Sequence, residues 1–543
     1  MTTAVESPGG LTRWAERWKE IEAVALPDNL DAFLRDGIEK YADNVLIDFF
    51  ERDETVTYAE FGELVEKFVI ALAKVGVGPG DRVAAVMRSV AEFPATMYAL
   101  ARIGAVIVPV NFRYTAPEFE FVADDAEVSA IVAAAEFCEV IASAPSTVRL
   151  GPDRVIVVGG EHEVGTPLER LLEDAGEAPT FPDPALDTLI SLQYTSGTTG
   201  FPKGCMLTHR YWLEAVTCQR GVLGPRYRIL EDMPWFYMSG PIAFNQAIAD
   251  GGRMLVPERP SLSKYLGWLH DQEVDFGWFA DDLLKRPETP LDRDHVLKSA
   301  WVAGASPEVV EGLRQRFGIE ARECYGMTEI GNGTLVPVED LEMSMKGSIG
   351  VCAPFRQVRV VDERGVALPS GEVGELCFRG AGILQGYWKR PETNAEAFLP
   401  DGWFRTGDLA RIDADGLVFY LGRIKDTIRR SGENISAAEL EQAIGEAPGV
   451  AAVAALPVPD DFRGEEVKVY LVLEPGKTPD DVPPQAIFDW CEGRLASFKV
   501  PRYVEYVDEL PLTPSEKVSK AKLREAKDDL REGSFDRVDE VWR

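Results

Sequence analysis

From Tyr58 to Ile190 the chain alternates helix-patterned stretches with short β-branched runs, and this alternation limits the folds open to it more than any other feature. Tyr58–Val75 carries apolar residues at helical spacing, whereas Arg82–Met87 and Val106–Val110 are apolar runs of strand length. Turns such as Gly78-Pro79-Gly80 separate them. Strands with no polar alternation are buried on both faces, which in this rhythm means a mostly parallel sheet layered with helices. The expected class is α/β. Leu11, Trp14, Trp18 and Ile21 place one more apolar helix face ahead of this region, expected to dock on the protein's own core.

The texture then changes twice. After Gly347, the β-rich runs Gln357–Val361, Gly374–Arg379 and Leu417–Leu421 are separated by turns such as Asp401-Gly402 and Asp415-Gly416. That pattern predicts antiparallel sheet or a distorted β-barrel. From Arg423 a small α+β module follows: Ser436-Ala-Ala-Glu439 has capping-box spacing, Val467–Leu473 reads as a strand, and Pro484–Leu495 as a helix. We expect a large N-terminal domain over residues 1–422 and a small mobile C-terminal domain over 423–543. The segment after Lys527 carries no readable pattern.

Composition narrows the function. Of the 543 residues, 45% are hydrophobic and 27% charged, which excludes wholesale disorder. Asp plus Glu number 90 against 57 for Lys plus Arg, and a formal charge of −33 repels polyphosphate backbones and anionic lipid. Nucleic-acid and membrane partners are therefore not expected. The seven cysteines never fall at C-x-x-C spacing, and His162, His209, His270 and His295 have no metal-ligand spacing. A start lacking a basic, apolar leader suggests a reduced, cytoplasmic setting. Whether the chain forms a homodimer is left open.

The stretch Tyr194-Thr-Ser-Gly-Thr-Thr-Gly-Phe-Pro-Lys-Gly204 follows a strand-like run, Thr188–Gln193. Its glycines let backbone N–H groups turn toward an oxyanion, its hydroxyls donate further bonds, and Lys203 adds charge. It is an anion cradle by residue type. It is not a P-loop, because Pro202 stands where that motif needs its second glycine.

Further motifs follow in order: Tyr325-Gly-Met-Thr-Glu329, Gly402-Trp-Phe-Arg-Thr-Gly-Asp408, Gly422-Arg-Ile-Lys-Asp426, Ser431-Gly-Glu-Asn-Ile-Ser436 and Pro511-Leu-Thr-Pro-Ser-Glu-Lys517. With the glycine-rich loop, they make the chain resemble the adenylate-forming enzymes over nearly its whole length. That superfamily includes acyl-CoA synthetases, luciferases and peptide-synthetase adenylation domains. The texture from Ser497-Phe-Lys-Val-Pro-Arg502 through Lys517 looks nearest the carnitine/crotonobetaine and medium-chain acyl-CoA ligase branch.

The resemblance implies ATP, Mg²⁺ and coenzyme A as cofactors and a small carboxylic acid as substrate. It implies that Thr195, Ser196, Gly197, Thr198, Thr199, Gly200 and Lys203 hold the nucleotide's phosphates, and that Glu329 with Thr198 ligates Mg²⁺. Ala303-Gly304-Ala305, Tyr325, Gly326 and Thr328 would line the nucleotide slot, with Asp408 on the ribose and Arg423 on ribose or phosphate. Lys517 would be the mobile lysine of adenylation, and Lys425 the hinge. Gly432, Glu433 and Asn434 would guide the thiol. Arg429 and Arg430 read either as a solvated basic face or as an attraction for the phosphates of coenzyme A.

The chain also departs from the family. Tyr237 stands where a histidine is usual, so a neutral phenol replaces a group that can be cationic, and Glu516 stands where a glycine usually precedes the lysine. Trp235, Phe236, Met238, Trp278 and Phe279 suit a bulky or cyclic acyl group. The reading is an acid–CoA ligase. Its alternatives are a homologue that only thioesterifies a supplied acyl-adenylate, and a silent nucleotide-binding protein of the same fold.

Overall fold

A computed structural model describes residues 12–173, 176–195, 202–302, 304–431, 433–492, 494–513 and 517–543. The first layer is the expected parallel sheet. Its seven strands run in the order Thr166–Pro167, Val155–Val158, Ala130–Ala134, Arg82–Val86, Val106–Pro109, Leu189–Thr195 and Lys203–Thr208. All neighbours are parallel except the last two, which form an antiparallel hairpin pairing Tyr194 with Gly204 and Thr195 with Lys203. The helix Tyr58–Lys74 begins at a capping box in which Thr57 and Glu60 satisfy each other's backbone N–H groups.

A five-stranded sheet stands beside it, in the order Phe276–Gly277, Arg228–Leu230, Arg253–Leu255, Val45–Phe49 and Glu54–Thr57. The helix Thr12–Glu22 docks as its apolar face requires: Trp14, Trp18 and Ile21 are buried in the main core, and Trp18 Nε1 donates to the Cys352 carbonyl at 2.8 Å. Leu11 lies outside the described residues. Among the described residues no helix is long and apolar enough to cross a membrane.

The β-rich region consists of two four-stranded sheets. One orders Ser299–Val302, Glu320–Met327, Gly331–Leu335 and Val351–Cys352; the other is a meander of Gln357–Val361, Val373–Arg379, Phe404–Ile412 and Val418–Arg423. Hydrogen bonds from Ile349 N to Val418 O and from Val418 N to Gly350 O join them, over a shared core that includes Leu335, Leu376 and Phe404.

Beyond Arg423 a fifth sheet packs Ala437–Gly445 and Pro484–Glu492 around buried residues such as Ile428, Leu440, Val469 and Phe488. Every buried residue of this core lies after residue 427, and the main core ends at Val418. No apolar cluster among the described residues therefore bridges the junction. The tail, unreadable in the sequence, adds the strands Phe535–Asp536 and Val541–Trp542 to the sheet's edge. Asp536 is fully buried there. Burial favours its protonated form, but hydrogen bonds from Arg502 and Arg543 outweigh that and hold its carboxyl at about 2.

Candidate active site

Hairpin register brings the first cation into place. Because Thr195 and Lys203 are paired across adjacent strands, the lysine stands at the mouth of the loop between them. Ser196, Gly197, Thr198, Thr199 and Gly200 lie outside the described residues. Thr195 and Lys203 both line a cavity of about 830 Å³, and Lys203 Nζ sits 5.4 Å from the centre of the Tyr387 ring.

The same cavity gathers residues from distant parts of the chain. Tyr325, Gly326, Thr328 and Glu329 line it, on and just after the strand Glu320–Met327. Arg423 and Lys425 reach it from the junction, and Lys517 from the small C-terminal unit. Lys517 is anchored by backbone contacts with Thr513, whose N–H donates to the Lys517 carbonyl at 2.7 Å. Residues 514–516, Glu516 among them, lie outside the described residues.

Glu329 is buried, and its Oε1 accepts from the Tyr387 hydroxyl at 2.8 Å. Burial raises its pKa against the pull of Tyr387, Arg423 and Lys203. No group of three acidic, histidine or cysteine side chains that could hold a metal occurs among the described residues. A buried carboxylate beside Lys203 on the cavity wall instead suits Mg²⁺, which commonly binds through one or two carboxylates plus substrate phosphates and water. Glu329 fits that part.

Asp408 lies just behind the wall. The Tyr325 hydroxyl donates to its Oδ2 at 2.5 Å, and Arg423 Nε forms an ion pair with its Oδ1 at 2.8 Å. Burial is the larger influence and pushes its carboxyl up to about 6, against the lowering effect of Arg423 and Tyr325. Glu375 fixes this turn, accepting from Arg405 Nε at 2.7 Å and from Gly407 N at 3.1 Å. Behind Tyr325 the Phe378 ring is stacked at 5.9 Å.

Gly304 and Ala305 line a second cavity, of about 1330 Å³, rather than the first. Their N–H groups both donate to Glu323, whose carboxyl burial pushes up to about 7. Ala303 lies outside the described residues. Arg405 and Glu375 line both cavities, so the two adjoin at that pair.

The aromatic residues divide. Phe236, Tyr237, Met238 and the partly exposed Trp278 line the first cavity. Trp235 does not: it is buried between Phe49 and Phe244, with ring centres 6.4 and 6.2 Å away. Phe279 likewise packs in a separate core against Tyr265 and Phe317. Both corrections have one cause, since a large aromatic fills core space wherever the backbone turns it inward.

The basic cluster also divides. Arg430 is buried and donates through Nε and Nη2 to Glu466 at 2.6 and 3.2 Å, so it is an internal strut rather than a surface charge. Arg429, one residue earlier on the strand, is exposed and lines the second cavity. Glu433 and Asn434 belong to the strand Glu433–Ser436 that pairs with it; Gly432 lies outside the described residues. Lys425 sits in the short helical turn Ile424–Asp426, and Asp426 is held by Arg524 at 3.2 Å.

Four groups on or beside the site went unnoticed in the sequence. Tyr387 and the Arg405–Glu375 pair are described above; Arg405 was within reach, standing inside the Gly402–Asp408 motif. Glu231 follows the strand Arg228–Leu230 on the cavity wall, where burial and then Asp232 push its carboxyl up to about 8. Gln246 sits on the same wall, two turns into the helix Ser239–Asp250.

Known proteins resemble this chain in sequence and fold. Residues 34–388 fit the model of the AMP-binding enzyme family, and residues 439–517 that of the AMP-binding enzyme C-terminal domain. The chain belongs to the AMP-binding enzyme family. It is 33% identical over 480 residues to a feruloyl-CoA synthase of Amycolatopsis, a match covering 86% of this chain and 93% of the relative. It is 28% identical over 520 residues to a crotonobetaine/carnitine–CoA ligase of Salmonella paratyphi A, covering 91% and 99%. Among solved structures, ATP-bound MatB from Rhodopseudomonas palustris superposes with a TM-score of 0.80 at 28% identity, covering 92% and 99%.

Proposed function

We propose that this protein is an acid–CoA ligase that activates a bulky or cyclic carboxylic acid with ATP and passes the acyl group to coenzyme A. One observation carries the reading: Lys203, Glu329, Tyr325, Arg423 and Lys517 line one cavity together with Phe236, Tyr237 and Met238. Cations and a buried carboxylate that share a cavity with apolar rings suit a triphosphate meeting an apolar acid.

In the first step a substrate carboxylate oxygen forms a bond to the α-phosphorus of ATP, and the bond to pyrophosphate breaks. In the second, the sulfur of coenzyme A bonds to the acyl carbon, AMP leaves, and the thiol proton is lost. Neither step needs a protein nucleophile. Each needs stabilised negative charge, which preorganised donors supply best in a site shielded from water. In this reading Lys517 and Lys203 neutralise the oxygens gathered at the α-phosphorus. The Tyr237 hydroxyl donates to the substrate carboxylate without adding charge. Asp408 exchanges its contacts with Tyr325 and Arg423 for the ribose hydroxyls. Mg²⁺, bound by Glu329 and the phosphates, would supply further charge neutralisation.

The division into residues 1–422 and 423–543, a hinge at Lys425, and coenzyme A approach past Arg429 belong to the same proposal, as does a cytoplasmic setting. The absence of a shared apolar cluster across the junction among the described residues supports the hinge.

The test supplies the purified protein with ATP, Mg²⁺ and a broad panel of acids, with and without coenzyme A, and reads pyrophosphate release and thioester mass. Tyr237 on the wall favours one second reading, thioester formation from a supplied adenylate only. Thioester from a synthetic acyl-adenylate plus coenzyme A, with none from ATP and any acid, would select it.

A further inference from the structure

The acyl end of the cavity is not uniformly apolar. Ile242, Ala243 and Gln246 stand three, four and seven residues beyond Ser239 on the helix Ser239–Asp250, and all four line the cavity. Gln246 stands seven residues beyond Ser239, a rise of about 10 Å.

The amide side chains on this wall differ in how they are engaged. Gln193 donates to the Phe236 carbonyl, and Asn111 accepts from Arg113 N at 3.0 Å. Gln219 donates to Asn332 at 3.2 Å, and Asn332 donates to the Ala215 carbonyl at 3.1 Å. Gln246 alone among these five is unengaged. It is 1% exposed, and neither its Nε2 nor its Oε1 has a hydrogen-bond partner among the described residues. Buried polar groups are nearly always paired, because leaving one unpaired forfeits its hydration with no return. A buried donor and acceptor, both unpaired on a residue that lines a substrate cavity, point to a substrate group that is both.

We propose that Gln246 reads a hydroxyl group carried by the acyl substrate at the end remote from its carboxylate, donating through Nε2 and accepting at Oε1. This rests on the acid–CoA ligase reading and narrows its substrate class to hydroxylated acids about two helical turns long. Such a site rejects the analogue lacking the hydroxyl more sharply than an apolar pocket rejects a missing methylene, since the rejected complex leaves the amide unpaired.

The experiment compares kcat/KM for 4-hydroxycinnamate against cinnamate and for 8-hydroxyoctanoate against octanoate, in the wild-type protein and in Gln246→Leu. The melting temperature of each free protein is measured alongside. At least one pair is expected to favour the hydroxylated acid by about tenfold or more. Gln246→Leu is expected to erase that preference, mainly by lowering turnover of the hydroxylated acid. Its melting temperature should be unchanged or higher, because the amide stabilises nothing in the free protein. Turnover of acids with no such preference overturns the inference and leaves the ligase reading standing. So does a preference that survives Gln246→Leu, or a lowered melting temperature, which would make the amide part of the fold. Thioester from no acid in the broad panel, by either route, removes the ligase reading and this inference together.

Discussion

Tyr325 and Asp408 are joined by a hydroxyl-to-carboxylate hydrogen bond between two neighbouring sheets, and Arg423 closes on the carboxylate's other oxygen. The acceptors that a ribose would need are thus in use in the free protein, and the carboxyl they belong to titrates near 6 because it is buried.

That titration has a direction. The folded-state pKa exceeds the ordinary value of 3.8, so the native protein holds this proton more tightly than the unfolded chain; Asp408 favours the fold below about 4, and that contribution is lost as pH rises through 6. Ribose recognition needs the carboxylate and follows the opposite course. Adenosine, which does not itself titrate in this range, should bind progressively less tightly as pH falls below 6, by up to about tenfold per unit. Calorimetry between pH 5 and 8 would show it. Asp408→Asn should bind more weakly throughout and give a flat profile.

Lys517 lines the cavity from the C-terminal unit. Lys517→Ala should slow pyrophosphate release by roughly 10²–10³-fold, the usual loss on removing one preorganised stabilising group. Thioester formation from synthetic acyl-adenylate and coenzyme A should stay within a few fold of wild type. Equal loss in both half-reactions would deny the lysine a step-specific role.

Arg429 and Arg430 should part company under mutation. Arg430→Met removes two hydrogen bonds from the buried Glu466, leaving it paired with Arg463 at 3.2 Å, and should cost about 1.5–3 kcal/mol of stability by denaturant titration. Arg429→Glu should leave stability within about 0.5 kcal/mol of wild type and raise the KM for coenzyme A. An unchanged KM would show that Arg429 is merely a solvated charge.

Glu231 sits neutral on the cavity wall near pH 7, its carboxyl raised to about 8 by burial and then by Asp232. Between its ordinary value of 4.5 and 8, the native state keeps a proton that the unfolded chain has released, so stability falls as pH rises through that window. Glu231→Gln should flatten this decline between pH 5 and 8 in denaturant melts while retaining activity at neutral pH. A wild-type slope in the variant would assign the pH dependence to other groups.

Much of the site was legible because its chemistry is local. The stretch Tyr194–Gly204, Tyr325–Glu329 and Gly402–Asp408 each compress glycines, hydroxyls and charges that an ordinary turn has no use for. What escaped depends on direction. Trp235 and Phe236 are adjacent, yet only the second meets the cavity, because the first is turned into the core between Phe49 and Phe244. Arg429 and Arg430 differ for the same reason along the strand Thr427–Arg430, whose period of two sends one out and the next in. Gln246 was hidden because a polar residue on a helix is ordinarily read as its solvent face, and only the packed structure shows the helix buried on that side. The tail strands pair with partners set by the whole sheet, which no local pattern could announce.

The separate core beyond residue 427 has a practical meaning for anyone recombining these sequences. A crossover placed just after Arg423 would cut through no buried oily cluster among the described residues, so a transplanted terminal portion would arrive with its interior already complete. What it would have to rediscover is shallow: the close approach of Ser436 and Ala438 to Gly422, the reach of Arg429 toward Glu363 at 3.9 Å and the alignment of one lysine with a cleft built by the host. Hybrids of this kind should fold readily and differ chiefly in how well that lysine finds its mark.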